Sequence, residues 1–146
     1  MVYPAFKLKS LYLYDDKENI NRRFVSLQER SNARTGFHLY EIVIAGSVEV
    51  LRRMKINTSL ASNAELNYNY FIKYNDTILP FKKFGRKIFP KLILSSDGKL
   101  DHYVDAHNLH TYDMGNAIPI IEFYNRLVKS DEAVAYSIVS DADAQR

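Results

Sequence analysis

The sequence predicts an α+β fold: one globular domain over residues 1–146, an antiparallel or mixed sheet, and helices packed mainly on one side. Three observations carry that prediction. Apolar residues make up 47% of the chain, enough for a core. Segments of β-forming residues recur between residues 5 and 94. After Asn116 the apolar spacing changes to a helical period.

Taken in order, Phe6, Leu8, Tyr12 and Tyr14 share one parity with Lys7 and Lys9 opposite, which predicts a strand over 5–14. Asp15 and Glu18 have capping-box spacing, and Ile20, Phe24 and Leu27 follow at i, i+4 and i+7. Together they predict a helix over about 16–30, with a strand at 24–29 as the competing reading. FHLYEIVIA, 37–45, is rich in β-formers on both parities and reads as a central strand. SVEVLRRMK, 47–55, places Val48, Leu51 and Met54 on one helical face behind Ser47 as N-cap. That segment and 59–70 also have the spacing of a helix-turn-helix, although the second helix is poor in cations.

Strands are expected over 68–74 and 77–94, the latter as an edge hairpin turning at Gly85-Arg86, because Pro80 and Pro90 each remove a ladder donor. Ser96-Asp97-Gly98 is a turn, with a further strand over 100–106. Ile120, Phe123, Tyr124, Leu127 and Val128 predict a helix over about 116–129, with Pro119 in its first turn. A second helix over 132–139 and a short acidic tail, about 140–146, complete the chain.

Cysteine is absent, so neither disulfides nor thiolate metal ligands are available. Met1–Ser10 lacks the apolar stretch of a signal peptide, and no apolar run could cross a bilayer. The expectation is a cytoplasmic protein without membrane contact. The Asn-, Lys- and Ile-rich composition points loosely to an AT-rich genome such as a phage, which would make it a virion-associated assembly subunit. Charge is unevenly spread: residues 1–99 hold 17 Lys+Arg against 9 Asp+Glu, and residues 100–146 hold 3 against 8. A basic surface for an acidic partner and a homo- or hetero-oligomeric assembly follow as expectations.

The densest basic stretch is FKKFGRKIFPK, 81–91, with five cations, three phenylalanines and no acid. Lys82, Lys83, Phe84, Arg86, Lys87, Phe89 and Lys91 are the candidate binding residues. Lysine meets phosphate and an exposed ring stacks a base, so nucleic acid or an acidic protein surface is the expected partner. The bland reading is an edge strand protected by lysine and proline. A second cluster, LDHYVDAHNLHTYD, brings His102, Asp105, His107 and His110 close in sequence, the ligand types of a metal-dependent nuclease. Its spacing is compressed, and strand parity separates the candidates. No Gly-rich phosphate loop, GxSxG elbow or Cys/His pair calls for a cofactor, and a non-catalytic binding or assembly protein is the leading expectation.

Overall fold

A computed structural model describes residues 9–31, 34–55 and 68–144, with side chains over 9–28, 36–55 and 68–132. The fold is α+β. Six strands form an antiparallel sheet in sequence order, β1 to β6, followed by a helical region. The chain divides into two compact units, residues 1–45 with 49–81, and residues 46–48 with 82–146.

In the first unit, β1 (Ser10–Asp15) pairs antiparallel with β2 (Ile20–Ser31). The helix expected over 16–30 is therefore a turn and a strand; residues 5–8 of the expected first strand lie outside the described residues. Asp15 Oδ1 accepts from the backbone N–H of Lys17 and of Glu18 at 3.1 and 3.3 Å. These are the bonds a helix cap would make, used instead to fold a hairpin turn that ends in Asn19 at φ 54°. Period two then wins: Val25 and Leu27 pack against the buried cluster of Tyr40, Leu51 and Phe71.

β3 (Arg34–Ile44) occupies the expected central strand, and β4 (Val48–Met54) replaces the helix expected over 47–55. Val48, Val50 and Leu51 are fully buried while Met54 is 61% exposed, so the predicted helical face does not exist. With β4 a strand, the helix-turn-helix reading also falls; residues 56–67 lie outside the described residues. β5 (Tyr68–Tyr74) stands where expected and pairs with β6 (Thr77–Pro80). Asn75 and Asp76, at φ 48° and 62°, form the tight turn whose two positive φ values match the twist of a two-residue hairpin.

The hairpin expected over 77–94 does not form: only Thr77–Pro80 is strand, and it pairs with β5. From Phe81 onward the chain is helical: a 3-10 turn (Phe81–Lys83), a π-helical turn (Phe84–Ile88) and α1 (Phe89–Ser95). Asp97 and Gly98, at φ 54° and 80°, turn the chain into α2 (Lys99–Ala106), where a strand was expected over 100–106. Leu100 is buried at the start of α2, and Tyr103 stacks on Phe123 of α3 with ring centroids 4.0 Å apart.

α3 (Met114–Ala144) contains the predicted helix over 116–129 and runs unbroken through the segment expected as a second helix and through the described part of the tail. It begins before Asn116, so Pro119 sits beyond the first turn. Its buried stripe is Ala117, Ile120, Ile121 and Tyr124, while Phe123, Leu127 and Val128 are half-buried flanks. Asn125 clamps the backbone of Val48 from both sides, accepting from its N–H at 2.8 Å and donating to its carbonyl at 2.9 Å. Gly46 makes room for this clamp, because a Cβ there would lie 2.5 Å from the Asn125 amide. Among the described residues no helix is long and apolar enough to cross a membrane.

Candidate functional site

Residues 81–95 bury one side chain in four. Phe84, Ile88 and Leu92 face inward, and the repeat continues through Ser96 and Leu100. The positions between them are exposed: Lys82 and Lys83, Arg86 and Lys87, Pro90 and Lys91, and then Leu94 at 84%. A four-residue repeat is the signature of one helical face packed and the opposite face open. All five cations of the stretch thus share one face of a helical run, not one face of a hairpin.

Proline explains the unusual helix. The Phe89 N–H bonds the Phe84 carbonyl, five residues back, and Pro90 follows in the first turn of α1. In a plain α-helix the Pro90 ring would crowd the carbonyl of Arg86. Widening the helix ahead of the proline removes that clash. Gly85 serves the same turn: a Cβ there would overlap the Thr111 hydroxyl, so the loop before α3 lies directly on it.

The predicted site residues divide accordingly. Lys82, Lys83, Arg86, Lys87 and Lys91 are exposed and form no ion pair with a described residue. Phe84 is fully buried, which corrects its assignment as a surface ring. Phe89 is half-buried with its ring 6.2 Å from that of Phe84, so it stays partly open beside the basic face.

The His/Asp cluster is distributed over α2 and the following loop. His102 and Asp105 are exposed on α2. His107 Nδ1 donates to the Tyr103 carbonyl at 3.0 Å, and His110 Nε2 lies 3.2 Å from Asp113 Oδ2 with its ring stacked on Tyr112. Asp113 caps α3, accepting from the Asn116 backbone N–H at 2.9 Å. Hydrogen bonds from Asn116, its side chain foremost, hold the Asp113 carboxyl below its ordinary value. Among the described residues no three His, Cys, Asp or Glu side chains converge as a metal-ligand group.

Sequence reading missed a third feature, a cleft of about 260 Å³ on the sheet, walled by Phe24, Leu39, Met54 and Tyr68. At its floor Glu41 accepts from Arg52 Nε at 2.6 Å and Nη2 at 3.1 Å, while Arg22 Nε lies 3.7 Å away. Arg22 also reaches Asp15 at 3.2 Å, and the Arg52 guanidinium sits 4.2 Å from the Tyr68 ring centre. The hydrogen bond to Glu41 raises Arg52 above its ordinary value, against the opposing effect of burial. Glu41 stands opposite Arg52 in the β3–β4 register, so reading 47–55 as a strand would have exposed the pair. Compared with family models, with curated proteins and with solved structures, the chain has no match in any of the three.

Proposed function

We propose that this chain is a non-catalytic binding protein whose basic helical face grips the phosphate backbone of nucleic acid. The supporting observation is the placement of Lys82, Lys83, Arg86, Lys87 and Lys91 on the open face of one helical run, without a described carboxylate partner. At a helical rise of 1.5 Å per residue, positions 82–91 span about 14 Å, enough to follow several successive phosphates. With Phe84 enclosed and Phe89 only partly open, binding rests mainly on charge and is tolerant of sequence.

Fluorescence anisotropy with a labelled oligonucleotide, repeated over a series of salt concentrations, tests this reading. Affinity is expected to fall linearly on a log-log plot, and Lys83→Ala with Lys87→Ala together should flatten the slope by about 1.5. A protein with no salt-dependent affinity for single- or double-stranded oligonucleotides would refute the nucleic-acid reading. Cleavage of the same oligonucleotide that requires a divalent metal and disappears in His107→Ala would refute the non-catalytic one.

Leu94 favours a second reading, an acidic protein surface as partner. An 84% exposed leucine at the end of the basic face offers an apolar anchor that a phosphate backbone does not use. In that case the two lysine substitutions chiefly slow association with the partner.

A further inference from the structure

Among the described residues the first strand has an open edge, and its pattern is complementary to itself. β1 is the terminal strand of the sheet. The Ser26 N–H donates to the Lys9 carbonyl at 3.0 Å, flanking the opposed pair Ser10 and Val25. In an antiparallel ladder this makes Ser10–Val25 a non-hydrogen-bonded pair. Leu11, Leu13 and Asp15 therefore turn their backbone groups toward β2, while Ser10, Tyr12 and Tyr14 turn theirs outward.

The two ends of the sheet are built differently. β6 is four residues long and closes on Pro80. β1 holds neither lysine nor proline between Ser10 and Asp15, and it exposes Tyr12 at 65%, Leu13 at 48% and Tyr14 at 58%. An unprotected edge of this kind is a template for another strand.

We infer that β1 pairs antiparallel with β1 of a second copy of this chain, about a two-fold axis at Tyr12. This register sets Tyr12 opposite Tyr12 and Ser10 opposite Tyr14, so every outward N–H and C=O of the three residues gains a partner. On the alternate positions it sets Leu11 opposite Leu13 and Lys9 opposite Asp15, apolar against apolar and cation against carboxylate. Asp15 then lies between Lys9 of the second copy and its own Arg22. Sliding the pair by two residues toward the turn would oppose Lys9 to Lys17, and sliding it the other way leaves Tyr14 without a partner in β1. The edge is thus isologous, as a two-fold dimer requires.

The inference does not depend on the basic face, and its test keeps the two apart. Sedimentation equilibrium of the full chain, in salt high enough to screen phosphate contacts and with no nucleic acid present, should show the 17.0 kDa protomer passing to twice its mass as concentration rises. Tyr12→Lys and Tyr12→Glu should each remain at protomer mass, because each opposes like charges at the axis. An equimolar mixture of the two should recover the doubled mass. Lys83→Ala with Lys87→Ala should associate as the parent does.

The chain has no cysteine, so a single introduced thiol reports the register. Under mild oxidation Tyr12→Cys should link to its own copy, since directly opposed Cα atoms about 5.5 Å apart suit a disulfide. Ser10→Cys should not link to itself, but should link to Tyr14→Cys. Protomer mass at every concentration, association unchanged by Tyr12→Lys, or equal linking through Ser10→Cys and Tyr12→Cys would each overturn the inference.

Discussion

Replacing Phe84 with alanine should lower stability by about 3–5 kcal/mol and leave the salt dependence of binding unchanged. The side chain is fully buried at the head of the repeat that continues through Ile88 and Leu92, with Phe89 against it. Truncation removes a large apolar surface and leaves a cavity beneath the basic face. Chemical denaturation monitored by circular dichroism measures the effect as a drop in midpoint. An unchanged midpoint with weakened single-strand affinity would mean the ring is outside and stacks on bases. Because Phe84 opens the π-helical turn, the loss should be felt locally as well, in faster amide exchange over 84–92.

Glu41→Ala should destabilise the sheet by about 3 kcal/mol. Only 8% of the Glu41 side chain is exposed, and it is held by two Arg52 donors with Arg22 nearby. Its removal leaves two guanidinium groups facing each other across β2, β3 and β4 without the intervening carboxylate. Changing Glu41 and Arg52 together to methionine should recover most of the loss, since a well-packed apolar pair can replace a buried ion pair at little cost. A double-mutant cycle reads the coupling directly, and a coupling near zero would show that the pair contributes nothing. Arg52→Lys should restore little, because one ammonium cannot reproduce the two-donor fork.

Where local pattern and tertiary packing agreed, the elements were legible in the sequence. The helix around Ile120 and Tyr124, the strand around Tyr40, the strand over 68–74 and the turn at Asp97-Gly98 all follow from spacing and turn chemistry alone. The errors have a common origin, which is that short segments satisfy two periods at once. Ile20, Phe24 and Leu27 fit a helix, but the alternating Val25 and Leu27 meet the Tyr40 cluster, and burial decides. Val48, Leu51 and Met54 fit a helix in the same way, yet strand pairing places Met54 in solvent. Between 81 and 95 the error ran in the opposite direction. Lys87, Phe89 and Lys91 alternate, whereas the stronger signal was Phe84, Ile88 and Leu92 at intervals of four.

The prolines misled for a related reason. Pro90 was compatible with a sheet edge, and it is equally at home in the first turn of a helix, where a missing N–H removes nothing. Only the buried partners distinguish the two. The basic face was legible as a set of residues because charge composition survives a wrong secondary structure. The enclosure of Phe84 was not, because it depends on which period holds. The Glu41–Arg52 pair was hidden because its partners meet only across a strand register that the sequence reading did not contain.

Amide chemical-shift mapping, with an unlabelled oligonucleotide titrated into isotope-labelled protein at low salt, tests the basic face most directly. Shifts are expected at Lys82, Lys83, Arg86, Lys87 and Lys91 that fade as salt is raised, with His102 and Asp105 on α2 undisturbed. Shifts confined to His102, His107 and His110, or no shifts at any residue, would contradict it.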